Sequence, residues 1–212
     1  MRRLEHASFT TGIDDAFEAL KKKKALTYSD VLGTHNTLFE AMYPWAQTAP
    51  DIAVSRGRIL FAHPKYIQNA IDHALKLGND PKGMREKAGE VMGYLAHGHP
   101  FLDGNGRTIM VVHSVLAQRA GFSVDWASTG KTAYLKALTE ELNDPGKGIL
   151  DKYLEPYIRP AVTDLQEHIA AAKGLDGGTG DADEIRGSND DPAVIAEYKQ
   201  QQLKRDEHTG GA

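Results

Sequence analysis

His99-Pro100-Phe101-Leu102-Asp103-Gly104-Asn105-Gly106-Arg107 interrupts an otherwise helical pattern, and both of its flanks are strongly periodic. Upstream, Met84, Ala88, Val91, Met92 and Leu95 fall on one helix face, which predicts a helix over residues 84–96. Downstream, Ile109, Val112, Leu116, Ala117 and Ala120 repeat at the same spacing, and Gly121 supplies a stop. Two buried helices joined by a short polar loop place the chain in the all-α class, as a helical bundle.

The loop combines residue types that are useful together. A helix beginning near Gly106 presents free backbone N–H groups and the positive end of its dipole, which suits an anion such as phosphate. Gly104 and Gly106 let the backbone approach that anion closely and offer positive φ, while Arg107 adds a forked cation. Asp103 is a hard oxygen ligand of the kind Mg²⁺ takes alongside water and phosphate oxygens, and His99 can accept a proton near neutral pH. Taken singly, each has a bland explanation: Asp-Gly-Asn-Gly is a common turn, and a histidine before proline often just ends a helix. Jointly they point to phosphoryl-type transfer.

Working outward, Val31, Leu32, His35, Leu38, Phe39 and Met42 predict a helix over 29–42 that stops at Pro44. Ile52-Ala53-Val54 and Ile59-Leu60-Phe61-Ala62 flank the turn Ser55-Arg56-Gly57-Arg58 and read as a small β-hairpin. Pro64 opens a further helix through Leu77, closed by Gly78-Asn79. Residues 132–142 and 149–172 read as two more helices, the second bent at Pro156 and Pro160. From Lys173 the chain turns rich in Gly and Asp and is expected to be a flexible polar tail. Within it Asp191-Pro192 starts a short helix through Leu203 whose nearly all-polar surface makes it marginal alone.

Composition sets limits on partners. The formal net charge of −4 gives no footprint for tracking nucleic acid, and zero cysteines exclude disulfides and thiolate metal sites. No run approaches the ~18 apolar residues of a membrane span, and Met1-Arg2-Arg3-Leu4-Glu5-His6 is not followed by an apolar signal core. A cytoplasmic protein is the expectation, with secretion as an effector as its variant; no nucleic acid and no membrane are expected as partners.

The loop resembles the HPFx[D/E]GNGR signature of Fic domains. Tyr43-Pro44-Trp45-Ala46, Ile59 to Pro64 and Gly121 to Leu138 are similar to further segments of that family. The resemblance implies a Fic-fold helical bundle with a hairpin flap over residues 27–172, preceded by a helical extension over 1–26 and followed by the tail over 173–212. It implies AMPylation: transfer of AMP from ATP to a Tyr, Thr or Ser hydroxyl of a target protein, with Mg²⁺ and release of pyrophosphate. It makes His99 the base, Asp103 the metal ligand, Gly104, Asn105 and Gly106 the anion hole with Asn105 orienting the α-phosphate, and Arg107 the partner of the β- or γ-phosphate. Phe101 is expected to anchor the loop in the core. The flap, through Arg58, Ile59, Leu60 and Phe61, is expected to receive an extended target segment on an exposed edge by strand addition.

Two departures from the family pattern matter. Many AMPylating members carry a second arginine three positions after the first, and Met110 stands there. ATP remains preferred, with UTP, GTP or CDP-choline as alternative donors and a catalytically weak nucleotide-binding regulatory module as an alternative class. The family's inhibitory motif, [S/T]xxxE[G/N], comes from a small antitoxin or from a helix of the chain itself. Its nearest match is Thr163-Asp164-Leu165-Gln166-Glu167-His168, which makes Glu167 the inhibitory candidate beside the simpler reading of a solvated helix face. His35 and His113 are expected to be packed or hydrogen-bonded histidines, and Trp45 and Trp126 to brace the core.

Overall fold

The computed structural model describes residues 2–57, 59–162, 184–188 and 190–209. Helix α1 (Arg2–Lys21) is followed by α2 (Tyr28–Phe39), the hairpin strands β1 (Ile52–Arg56) and β2 (Ile59–Leu60), and α3 (Ile67–Asn79). Then come α4 (Pro81–Glu86), α5 (Ala88–Gly98), α6 (Asn105–Arg119), β3 (Phe122–Val124), α7 (Lys131–Asn143), α8 (Ile149–Leu154) and β4 (Ile158–Pro160). The described part ends with β5 (Glu184–Ser188) and α9 (Pro192–Thr209). Mostly helical with small antiparallel sheets, the architecture agrees with the all-α bundle and hairpin expected.

Helix α6 is the axis of the bundle. Thr108 through Ala117 are buried without a break, the pattern of a helix covered on every side. Helix α1 is no loose extension: Phe9, Ile13, Phe17 and Leu20 enter the same core. A Cβ on Gly12 would lie 2.4 Å from the carbonyl oxygen of Thr37, so α1 and α2 meet backbone to backbone. Arg119 at the end of α6 donates to the carbonyls of Leu20 and Lys23, both at 2.6 Å, which satisfies the open C-terminus of α1. At the start of α2, the Asp30 carboxylate accepts the Thr27 N–H at 2.8 Å.

Three details depart from the sequence reading. The helix expected over 84–96 is two helices, broken at Lys87 (φ −138°). Gly89 there lies against α8, where a Cβ would sit 2.2 Å from the backbone nitrogen of Asp151. The continuous helix expected over 149–172 stops at Leu154; Ile158–Pro160 instead pairs with Phe122–Val124, and Asp125 N–H donates to the Tyr157 carbonyl at 2.9 Å. Proline at 156 and 160 does more than bend that segment, because a short edge strand tolerates it. Finally, the tail contributes structure to the flap. Strand β5 pairs antiparallel with β1, giving a sheet of order β2-β1-β5, and α9 follows.

Candidate active site

Helix α5 ends at Gly98, and His99 takes the left-handed conformation (φ 43°, ψ 57°) that turns the chain out of the helix. A non-glycine residue pays strain there, which persists only where its surroundings hold it. The holding is visible. The Asn105 side-chain oxygen accepts the Phe101 N–H at 3.0 Å, and its amide nitrogen donates to the Phe101 carbonyl at 2.7 Å. These two bonds fix the orientation of the amide, so the atom 3.0 Å from His99 Nε2 is the NH₂ group. Nε2 must therefore accept, and the imidazole is neutral with its proton on Nδ1. Both polar ends of Asn105 are thus committed within the loop, whereas the resemblance assigned its side chain to the α-phosphate.

Gly104 (φ 78°) opens α6, and a Cβ there would lie 2.8 Å from Phe39 and 3.1 Å from His35 Nε2. Positive φ and close approach both require glycine at this position. At Gly106 a Cβ would meet nothing within 4 Å and no positive φ is adopted, so its role is open space beside the helix N-terminus.

His35 forms the base of the loop. It is fully buried, stacks on the buried Phe101 ring at 3.7 Å, donates from Nε2 to the Asp103 carbonyl at 3.1 Å, and accepts the Gln47 N–H on Nδ1 at 3.2 Å. Burial drives its pKa down to about 4, so it is neutral in the tautomer these bonds need. His113 is likewise buried and pushed down to about 4, with Nε2 bonded to the Ala88 carbonyl at 2.9 Å, and the buried Trp126 ring meets it edge-on. Both histidines behave as packed residues, as expected.

Asp103 lies among unforeseen neighbours. One carboxylate oxygen accepts the Gly104 N–H at 2.6 Å and the other lies 3.2 Å from the Tyr43 hydroxyl. The same hydroxyl donates to Glu5 of α1 at 2.5 Å, and burial with the two carboxylates pushes the Tyr43 pKa up. Glu5 also pairs with Arg107 at 3.7 Å, while the Arg107 guanidinium lies 4.7 Å above the Phe39 ring. Glu5 and Tyr43 were not read as site residues: one sits on a polar-looking first helical turn, and the other belongs to the Tyr43-Pro44-Trp45-Ala46 segment noted only for its family likeness. Met110, where a second arginine was considered, is buried in the core, so its position offers no cation to a phosphate.

The flap forms the roof. Phe61 donates its N–H to Val54 and stacks on the His99 ring with centroids 3.7 Å apart and planes at 8°. Ile59, Leu60 and Phe61 are buried, and His99 itself is 4% exposed, so the base is covered by the hairpin. Arg58 and Glu167 lie outside the described residues. On the hairpin the outer edge of β1 is taken by β5, whereas β2, which carries Ile59 and Leu60, is an outer strand of the order β2-β1-β5.

Residues 25–117 match the model of the Fic/DOC family. Protein adenylyltransferase VbhT of Bartonella schoenbuchensis is 30% identical over 114 residues, which is 50% of this chain and 24% of that protein. Probable protein adenylyltransferase y4lH of Sinorhizobium fredii is 25% identical over 123 residues, 53% of this chain and 64% of that one. The chain therefore spans only part of either relative. Among solved structures, BepC of Bartonella tribocorum, with bound AMPPNP, superposes with a TM-score of 0.60 at 19% identity, covering 74% of this chain and 88% of that one. The N-terminal Fic domain of a Bartonella quintana effector, with bound ADP, gives 0.60 at 20% identity, with 74% and 86% covered. At these identities the likeness establishes the fold. No helix among the described residues is long and apolar enough to cross a membrane.

Proposed function

We propose that this chain, which carries a Fic/DOC family domain at residues 25–117, is a nucleotidyltransferase that moves AMP from ATP to a Tyr, Thr or Ser hydroxyl of a target protein. The observation that supports this most is the His99 imidazole, neutral and with its Nε2 lone pair turned to the Asn105 amide at the mouth of α6. A target hydroxyl that replaces that amide donates its proton to Nε2 while its oxygen attacks the α-phosphorus. The bond from the α-phosphorus to the bridging oxygen breaks and pyrophosphate leaves. The N–H groups of the first turn of α6, with the open space at Gly106, receive the charge on the α-phosphate. Arg107 pairs with the β- or γ-phosphate, which takes the place of the Glu5 carboxylate.

Magnesium suits this donor set in one way. Among the described residues no group of three or more metal-ligating side chains exists, so Asp103 would hold the ion singly and phosphate and water would complete its shell. Bound there, it would neutralise charge on the phosphates. A target protein on the flap, a small antitoxin as regulator, and action as a secreted effector belong to the same reading.

The test is incubation of the protein with Mg²⁺, α-labelled ATP and lysate. Labelled protein is expected, with a loss of roughly 10²–10⁴-fold in His99→Ala, the usual cost of a general base. Labelling that survives this substitution at its original rate would show that His99 is not the base. The burial of Met110 leaves one cation fewer for a triphosphate, which favours a second reading in which the donor is CDP-choline, with UTP and GTP as further alternatives. Labelled forms of those donors, tried in parallel, decide between the two.

A further inference from the structure

Strand β5 and the adjoining half of α9 lie on the flap in a way that the chemistry of the loop does not require. In an antiparallel strand, alternate residues turn both N–H and C=O to the same side. Phe61 donates to Val54, so these two face each other across the hairpin, and Ala53 and Ser55 turn their backbone groups outward from β1. Those outward groups meet β5, through the register Ala53↔Gly187 and Ser55↔Glu184 with a bulge between Ala53 and Val54. By the same alternation Leu60 turns its carbonyl outward from β2, and there the Gln201 side chain of α9 donates to it at 2.5 Å. One C-terminal segment thus occupies backbone positions on both edges of the hairpin.

Its hold is weak. Val194 is buried, and Tyr198 meets His63 edge-on at 4.8 Å, but Ile185 and Leu203 are 68% and 64% exposed. Little apolar surface secures the segment. The Ser55 hydroxyl on β1 and the Tyr198 hydroxyl on α9 are buried and find no hydrogen-bond partner among the described residues. The Tyr198 hydroxyl, carried by the segment itself, regains water when the segment leaves, which favours release. Arg186 of β5 and Glu197 of α9 form an exposed ion pair at 3.3 Å, which ties the segment to itself and not to the flap.

We infer that residues 184–188 and 190–203 form a displaceable clasp, which holds β5 in cis on the β1 edge of the flap and Gln201 on the Leu60 carbonyl of its β2 edge, positions that an extended segment of a protein target would otherwise pair with. A backbone group of β1 or β2 that is already bonded to the clasp cannot pair with a target strand, so clasp and target compete at either edge. The inference rests on the reading that the acceptor is a protein hydroxyl. Target modification then depends on the fraction of molecules with the clasp open.

The chain has no cysteine, so a lock can be installed cleanly. Ile52 and Ser188 are register partners, and Ile52, like Val54, turns its backbone toward β2. The pair is therefore a non-hydrogen-bonded one, whose close side chains suit a disulfide. In the I52C/S188C variant, oxidation is expected to lower labelling of lysate protein by α-labelled ATP at least about tenfold, with recovery on reduction and no change in ATP binding. Gly187→Ala provides the opposite test: at φ 141° a side chain is strained although its Cβ would meet only ordinary contacts at 3.9 Å with Asp191 and Val194, so β5 loosens and labelling rises above that of the unaltered chain. Labelling that ignores the disulfide, or that fails to rise in Gly187→Ala, overturns the clasp and leaves the transferase reading standing. Absence of labelling in every form, Gly187→Ala included, overturns both.

Discussion

The floor and the roof of the loop are built on opposite terms. Below His99 the loop is pinned by side chains: Asn105 joins both ends of the turn, His35 donates to the Asp103 carbonyl, and Gly104 fits against Phe39 with no room for a methyl group. Above it, the roof consists of a two-residue strand, a bulged edge and one glutamine side chain, and it leaves the Ser55 and Tyr198 hydroxyls unsatisfied. A reaction that depends on placement needs the first kind of construction under its base. A macromolecular acceptor needs the second kind over it, because what covers the base has to move.

The comparison breaks most visibly at Gly104. Alanine there meets Phe39 and His35 and adopts a left-handed backbone, so transfer should fall by about 10²-fold or more, the scale of a 1 Å misplacement, with a lowered melting temperature. Should Gly104→Ala keep its rate, the floor is less rigid than its contacts indicate.

Acid sharpens the same contrast through His113, which is neutral in the folded chain. Its pKa is lowered from 6.5 to about 4, so between these values the unfolded chain binds a proton that the folded one does not. Stability is therefore fully present above pH 6.5 and is lost as pH falls toward 4, by roughly 3 kcal/mol at most from this residue. Denaturant unfolding at pH 7 and pH 4.5 measures the loss. A His113→Phe chain should lose less, and an equal slope in both would assign the acid sensitivity elsewhere.

The smallest effect is expected at Glu5, which joins α1 to the floor. Glu5→Gln removes the charge beside Arg107 while keeping a group of the same shape near Tyr43, so ATP titration should give affinity tighter by about 3- to 10-fold, typical of losing one competing, partly exposed carboxylate. Unchanged affinity would mean that phosphate does not compete with Glu5 for Arg107.

Legibility in the sequence followed contiguity. His99 to Arg107 lie within one short run between two periodic helices, so the loop and most of its candidate residues could be read directly, and Phe101 was rightly expected in the core. Glu5 and Tyr43 reach Asp103 and Arg107 only after α1 has folded against α2 and α6, a contact that no local pattern announces. The strand β5 was hidden by its own composition. A segment rich in glycine and aspartate cannot bury enough surface by itself, and it becomes ordered here because β1 supplies the backbone partners. The break at Lys87 was equally invisible, since it follows from the approach of Gly89 to Asp151 across the bundle.

The left-handed turn at His99 makes one residue serve two masters. The corner that stops α5 is a position where glycine would rest more easily, yet glycine carries no imidazole. Natural drift toward a sturdier chain would therefore tend to erase its chemistry first, and an inert descendant of this protein would be recognised by a perfect corner with nothing on it.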